Sequence, residues 1–531
     1  MAKQRKAIVV GTGAGGLSAA AYLARDGFEV IALDRADRVG GFLAPFSVDG
    51  YSFDPGVHYI GKAGRGQALD RMLGPLGIDV ERLFVEMDPD GFDAYRFPDF
   101  EVRMCRGLER YRDRLAECFP GEREGMHRLF DLVARSRELT DQWPWPYSQT
   151  PHVSDLRMVK HLPTVARWMS SSFRELLEHL LGDPRARAVV AAPDGDAGLP
   201  PSRLSALSGV GVIDYYIDGA FFPRGGSGAL RDALVKSATK NGAQFRTSSE
   251  VVEILVRNSA VSGVRLASGE QLDGDVVVSD ADPTITYGRL LSKTVVPRRL
   301  LRKVERTRPS IATFTIYLGM QRDLRKRGLG AFNVWHYPSW DIESVYAPVL
   351  EGRMPDELAL LISSSTSRDD SGKLAPVGCS TLEVVTFIPW QPFAKWESVR
   401  PWERGADYRE LRQRIADRVL AQVERALPGL VGDVAVQRIS TPLDNTDHAA
   451  AVEGAAYGPA HTADQMGPWR FGTRTPIEGL LLAGAGVLSC GIQSCLTSGR
   501  IAAEMAASRH PRLVPKLSAR MREIAGTAFK V

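Results

Sequence analysis

The chain has 531 residues, enough for roughly two to four domains at about 150 residues each. Hydrophobic residues make up 44% and charged residues 24%, which excludes an intrinsically disordered, collagenous or coiled-coil chain. Its 67 basic and 63 acidic residues leave a net charge of +4, too small over this length for a polyanion footprint, so no nucleic-acid partner is expected.

Ala7 to Val10 is a short apolar run suited to a buried parallel strand, and it ends in Gly11-Thr-Gly13-Ala-Gly-Gly16. Leu17, Ala20, Ala21 and Ala24 then recur at helical spacing. Glu29 to Leu33 reads as a second strand ending at Asp34. In such a unit Gly11 permits the tight turn, Gly13 lets a pyrophosphate approach the backbone, and Gly16 lets helix and strand pack closely. The unpaired N–H groups at the helix start face the phosphates, and Asp34 is placed to accept hydrogen bonds from ribose hydroxyls. The ordered set predicts an α/β, Rossmann-type dinucleotide-binding fold.

Arg35-Ala-Asp-Arg38-Val-Gly40-Gly41 follows directly and resembles the second signature of the two-dinucleotide-binding-domain flavoproteins. That resemblance implies FAD rather than NAD and adds Arg35, Gly40 and Gly41 to the cofactor-binding candidates. A second complete GxGxxG is missing, because Gly226-Ser-Gly228 is followed by Arg231 and Gly484-Ala-Gly486 by Ser489. One flavin and no nicotinamide domain are therefore expected.

Further along, Trp143-Pro-Trp-Pro-Tyr147 reads as a rigid loop. Val165, Trp168, Met169, Phe173, Leu176, Leu177, Leu180 and Leu181 fall on one helical face, with Lys160, Arg167 and Arg174 beside it. This is a buried cap helix or, alternatively, a peripheral membrane contact through residues 155–182. Phe221 to Leu230 precedes a helical run, Gln244 to Leu255 reads as strands that carry the cofactor-binding candidate Val251, and Val276 to Val278 is a very apolar strand. Arg298, Arg299, Arg302, Lys303, Arg306 and Arg308 read as a solvated helix face. Leu480 to Gly486 is another buried strand running into a glycine turn, and a helix starts near Gly491 and continues through Ile501 and Met505. The uncharged stretches Ala7 to Ala24 and Gly479 to Gly499 are glycine-rich and read as cofactor turns, not as a signal peptide or membrane span. Five cysteines, Cys105, Cys118, Cys379, Cys490 and Cys495, form no CxxC pair, which fits a reducing, cytoplasmic compartment.

Several motifs together resemble the retinol saturases and carotenoid isomerases within the phytoene desaturase group of flavoproteins. They are Phe53-Asp-Pro-Gly-Val-His58-Tyr59-Ile-Gly61, Phe222-Pro-Arg-Gly-Gly226, Val278-Ser-Asp-Ala281, Gly454-Ala-Ala-Tyr457-Gly458 and Leu482-Ala-Gly-Ala-Gly-Val-Leu-Ser-Cys490-Gly491. The likeness runs from about Ile8 to Met505 in the family's order. It implies a discontinuous FAD-binding domain (1–75, 215–290 and 440–531) and an α+β substrate domain with a helical cap (76–214 and 291–439). It also implies that Gly484, Gly486 and Gly491 bind the cofactor. The substrate implied is a long apolar polyene, a carotenoid or retinoid, whose double bonds are saturated, desaturated or isomerised with an external electron donor or acceptor. One departure stands out: retinol saturases carry an acid at the position of Gly486.

The residues nearest the flavin ring on this reading are His58, Tyr59 and Cys490, with Tyr457 at the substrate mouth. His58 would relay a proton or hydrogen-bond the flavin. Cys490 begins a helix whose dipole would favour a thiolate, or it is a small residue permitting close approach. Asp282 and His461 stand beside motifs without a further argument. No GxSxG, HExxH, P-loop or metal cluster is present, which argues against hydrolysis and phosphoryl transfer. Two alternatives remain. An amine oxidase-type enzyme predicts an aromatic cage near the C-terminal flavin motif, where Val487, Leu488 and Ser489 stand, and a non-enzymatic prenyl-binding escort predicts an eroded phosphate loop.

Overall fold

The computed structural model describes residues 4–142 and 167–507, so the expected loop at Trp143 to Tyr147, Lys160 and Val165 lie outside the described residues. The first apolar run forms β1 (Lys6–Val10), the centre of a five-stranded sheet with β2 (Glu29–Leu33), β3 (Gln244–Arg246), β4 (Val276–Ser279) and β5 (Leu480–Leu482). The spatial order is β3-β2-β1-β4-β5 and every neighbouring pair is parallel. Such a sheet needs cover on both faces. Ala7 and Val9 of β1 pack with Leu17, Ala20 and Ala21 of helix α1 (Ala14–Arg25). Ile8 and Val10 point the other way, into Ile254, Val264 and Leu266. These last belong to an antiparallel sheet of Val251–Arg257, Ala260–Leu266 and Gln271–Asp273. The helix Ile492–Ala507 lies against α1 so closely that a Cβ on Gly499 would come within 2.1 Å of the Gly15 carbonyl oxygen.

A seven-stranded mixed sheet forms the second layer. Its order is Val434–Ser440, Ala312–Met320, Ser380–Ile388, Leu360–Ser363, Asn333–His336, Asp93–Phe97 and Phe100–Met104, with Asn333–His336 and Asp93–Phe97 parallel. The two-residue period of a strand sorts its faces. Phe314, Ile316, Leu360, Ile362 and Val384 pack on Ile415, Val419 and Val423 of the long helix Gly405–Ala426. The alternate residues Thr313, Thr315, Leu361, Val385 and Phe387 face a cavity shared with the first layer.

The cap differs from the single amphipathic helix read in the sequence. Residues 167–169 are helical, the chain breaks at 170–172, and α2 (Phe173–Leu180) starts afresh. The cause is a capping box: the Ser172 hydroxyl accepts from the Glu175 N–H while the Glu175 carboxylate accepts from the Ser172 N–H. Phe173, Leu176, Leu177 and Leu181 are buried against α3 (Ala206–Tyr216), where Gly209 leaves room for the Phe173 ring. Phe173, Leu176, Leu177 and Leu181 thus face the core, and residues 155–166 of the expected membrane contact lie outside the described residues. No helix among the described residues is long and apolar enough to cross a membrane. The basic helix Arg298–Arg306 buries none of its residues, as a solvated face should.

Candidate flavin and substrate site

A cavity of about 1150 Å³ runs between the two layers. It brings together Gly11, Gly13, Asp34, Arg35, Gly40, Gly41, Val251, Gly484, Gly486 and Gly491 with His58, Tyr59, Tyr457 and Cys490. Gly16 is the one candidate outside the lining. It sits behind the loop, where a Cβ would lie 2.1 Å from the Gly11 carbonyl oxygen, so it serves helix-to-strand packing.

At one end β1 leads into α1. Gly11 has φ +89°, a left-handed conformation that disfavours a side chain. A Cβ at Gly15 would meet Gly484 N at 2.6 Å, so α1 and the turn after β5 touch backbone to backbone. Asp34 accepts hydrogen bonds from the Thr12 N–H at 2.9 Å, the Thr12 hydroxyl at 2.5 Å and the Ala36 N–H at 2.9 Å, which fixes its carboxylate beside the loop. Arg35 donates to the carbonyls of Thr446 and Asp447 at 2.6 and 2.5 Å, tying this end to the C-terminal segment. Open glycine backbone at a helix N-terminus, with an acid at the next strand end, fits a dinucleotide.

Two features here explain details of the sequence. Asp280, at the end of β4, lies so near the loop that a Cβ at Gly13 or Gly15 would fall 2.6 or 2.3 Å from its carboxylate oxygens. Burial pushes this carboxyl up to about 7. A Cβ at position 486 would lie 2.2 Å from Pro283 Cδ. The acid found there in retinol saturases has no room in this chain.

At the other end a buried polar network holds the sequence candidates. The fully buried Glu383 carboxylate lies 3.8 Å from His58 Nδ1, and Arg368 donates to the His58 carbonyl at 2.9 Å and to Asn333 Oδ1 at 2.8 Å. Asn333 in turn donates to Asp93 at 2.9 Å. Asp54 accepts from the N–H and hydroxyl of Ser227, at the start of the helix Ser227–Lys240, which is why the motifs around His58 and Gly226 meet. The Tyr59 hydroxyl donates to Asp196 Oδ2 at 2.5 Å, and the Tyr59 ring stacks on Tyr216 with centroids 4.4 Å apart. The Tyr457 hydroxyl donates to the Gly195 carbonyl at 3.2 Å.

Cys490 does not behave as an activated thiol. Burial pushes it up to about 12, outweighing the favourable charge of Arg470, and its Sγ–H lies 3.5 Å from the Asp196 carbonyl. The thiolate favoured by a helix dipole is therefore corrected: the residue lines the cavity ahead of the first turn, where desolvation outweighs the dipole. Its backbone N–H donates to His461 Nε2 at 3.1 Å, which places the His461 proton on Nδ1, and burial holds that imidazole neutral. We expect a thiol reagent at pH 8 to label exposed Cys118 at least about ten times faster than Cys490, as read by peptide mass mapping. Equal labelling would show a solvent-reached thiolate.

Asp196, Arg368, Glu383 and Asp280 escaped the sequence reading. Asp280 stood inside a quoted motif, and Asp196 follows the apolar run Ala188 to Ala192, where acids are conspicuous. Among the described residues no group of His, Cys, Asp or Glu is placed to hold a metal ion.

A parallel nucleotide sheet, a glycine loop with its acid, and a cavity running from that loop into an apolar layer define an FAD-dependent oxidoreductase. The profile of the flavin-containing amine oxidoreductases matches residues 14–506, and the chain belongs to that family. It is similar to the all-trans-retinol 13,14-reductase of Danio rerio, 26% identical over 517 residues, covering 92% of this chain and 84% of that one. It is likewise similar to the neurosporene-forming phytoene desaturase of Rhodobacter capsulatus, 27% identical over 518 residues, covering 94% and 93%. The solved structure of wild-type putrescine oxidase bound to putrescine shares the fold, with a TM-score of 0.62 at 18% identity over 95% of this chain and 98% of that one.

Proposed function

We propose that the protein acts on carbon–carbon double bonds of a long apolar polyene, a carotenoid or retinoid, by saturation, desaturation or cis–trans isomerisation. The observation that carries this reading is the cavity itself. It continues from the phosphate loop past His58 and Tyr59 to Leu207, Val212, Trp335, Leu361, Val385 and Phe387, an apolar wall suited to a hydrocarbon chain. The retinol reductase and phytoene desaturase named above support it.

On this reading the N–H groups at the start of α1 hold the pyrophosphate, Asp34 the ribose, and Gly40, Gly41, Val251, Gly484, Gly486 and Gly491 admit the cofactor closely. The flavin part is drawn from 1–75, 215–290 and 440–531 and the substrate part from 76–214 with 291–439, of which 1–3, 143–166 and 508–531 lie outside the described residues. The bound flavin supplies hydride exchange. The chain supplies an apolar channel with His58, held beside Glu383, and the Tyr59–Asp196 pair at its wall, and Tyr457 beside them. Electrons reach or leave through an external donor or acceptor.

The amine oxidase reading requires two rings facing across a gap. Tyr59 and Tyr216 instead stack on each other at 4.4 Å, leaving no space for an amine chain between them. Anaerobic addition of a primary diamine to the oxidised holoenzyme is expected to leave the flavin oxidised. A polyene is expected to perturb the flavin absorption under the same conditions. Bleaching by the diamine, with no response to any polyene, would overturn the proposal.

A further inference from the structure

Two carboxyls lie on the turn Ala192–Ala197 that closes the cavity near Cys490, and they differ in what they face. Asp194 is buried away from the cavity, whereas Asp196 lines it. Asp196 Oδ2 accepts from the Tyr59 hydroxyl at 2.5 Å, and Tyr216 is a second hydrogen-bonding partner. Its main-chain carbonyl lies 3.5 Å from Cys490 Sγ, so the carboxyl stands beside the C-terminal flavin turn.

Among the described residues no lysine or arginine bonds to it, and His58 is the one basic side chain acting on it. Tyr59 and His58 approach from one turn, Tyr216 from α3, Asp93 from the strand Asp93–Phe97, Asp194 from its own turn, and Tyr457 and Cys490 from the C-terminal segment. The nearest guanidinium groups serve other partners: Arg368 binds the His58 carbonyl and Asn333, and Arg470 binds the Ala485 carbonyl at 2.6 Å. Burial accordingly holds the Asp196 carboxyl up at about 7, with the Tyr59 hydrogen bond pulling the other way.

Several other titratable groups of this cavity are committed elsewhere. Asp214 is paired with Lys62 at 2.5 Å and Arg137 at 2.7 Å. Asp282 accepts from the Thr284 N–H and hydroxyl at 2.7 and 2.6 Å. Cys490 is too weak an acid, and the lone pair of His461 Nε2 is used by the Cys490 N–H.

We propose that Asp196 is the catalytic acid and base of the reaction, exchanging a proton with a polyene carbon at this end of the cavity, and that Tyr59 is its positioning residue. The inference rests on the polyene reading above. In the saturating direction a reduced flavin, when bound, would supply the hydride that forms the C–H bond at one carbon of the double bond. The π electron pair takes the proton from the Asp196 O–H at the neighbouring carbon, and the O–H bonding pair stays on the carboxylate. Tyr59 then stabilises that carboxylate until water reprotonates it. Desaturation runs the same transfers backwards, with the carboxylate accepting the proton as hydride leaves.

The test compares wild type, Asp196→Asn and Tyr59→Phe as flavin-loaded holoenzymes, each first shown to carry full flavin absorbance. For the polyene converted by the wild type, Asp196→Asn is expected to lose about 100-fold or more in kcat with KM changed by less than about threefold. The saturating rate of the wild type should fall as pH rises through about 7, because the raised carboxyl then loses the proton it donates. Tyr59→Phe removes a hydrogen bond that favours the carboxylate, so its limb should move to higher pH. Independently of turnover, the infrared spectrum should show a protonated-carboxyl band below that pH that is missing in Asp196→Asn. Unchanged kcat and pH profile in Asp196→Asn, or a wild-type spectrum lacking the band, would overturn the proton-exchange role alone. A wild type that converts no polyene overturns the polyene reading, and this inference falls with it.

Discussion

Gly15→Val should emerge from purification colourless. A side chain there meets obstacles on two sides, because its Cβ alone would lie 2.6 Å from Gly484 N, 2.9 Å from Gly484 Cα and 2.3 Å from Asp280 Oδ1. The first two are backbone atoms of the turn that follows β5, so relief requires α1 to part from the central sheet. Overpacking of this kind ordinarily costs about 1–3 kcal/mol of stability. Flavin affinity suffers more, because α1 must move to relieve the clash and its first N–H groups are the proposed pyrophosphate ligands. A loss of about 100-fold, or about 2.7 kcal/mol, is expected. The ratio of visible flavin absorbance to protein absorbance measures it. Gly121→Ala, where nothing lies within 4 Å of the added Cβ, is the control that should stay yellow.

Arg368→Leu is expected to be the most destabilising of the single substitutions around His58. The guanidinium is 4% exposed and donates to Ser364, His58 and Asn333 carbonyl oxygens and to the Ser363 hydroxyl. Glu383, Asp93 and Asp54 surround it as carboxyl groups. Leucine fills much of the volume but leaves Glu383 without its cation and the His58, Asn333 and Ser364 oxygens without their donor, and removing one partner of a buried charge set costs about 3–5 kcal/mol. Urea denaturation of the apoprotein should show that loss. Arg368→Lys should recover part of it, since the charge returns without the planar fork. A loss below about 1 kcal/mol for the leucine variant would mean that the acids are protonated and need no cation.

The phosphate end was readable because its chemistry is local. A strand, three glycines, a helix and Asp34 lie within one stretch of chain, and each glycine answers a contact within the loop or with Asp280 at the end of the adjoining strand. The polar network around His58 was not readable, since Glu383 and Arg368 arrive from another layer and carry no local signature linking them to the motif. Cys490 shows how a correct local rule loses to burial: the glycine turn and helix start were evident, but the apolar depth that keeps the thiol protonated is a tertiary property. The cap was misread for the opposite reason. Ser172 and Glu175 spell a capping box in the sequence, yet the apolar period running through them suggested one continuous helix. Gly486 illustrates a third case, a glycine whose lack of room for a side chain comes from Pro283, distant in sequence and touching in space.

On the function proposed, a flavin in this cavity acts on polyene double bonds. It is tested most directly by incubating the flavin-loaded protein anaerobically with a panel of retinoids and carotenoids, once with oxidised and once with reduced flavin, and weighing the products. One of three results is expected on at least one polyene. A gain of two hydrogens with reduced flavin means saturation, a loss of two with oxidised flavin means desaturation, and an unchanged mass with a shifted absorption spectrum means isomerisation. Unchanged mass and unchanged spectrum across the whole panel, with the flavin demonstrably bound, would contradict it.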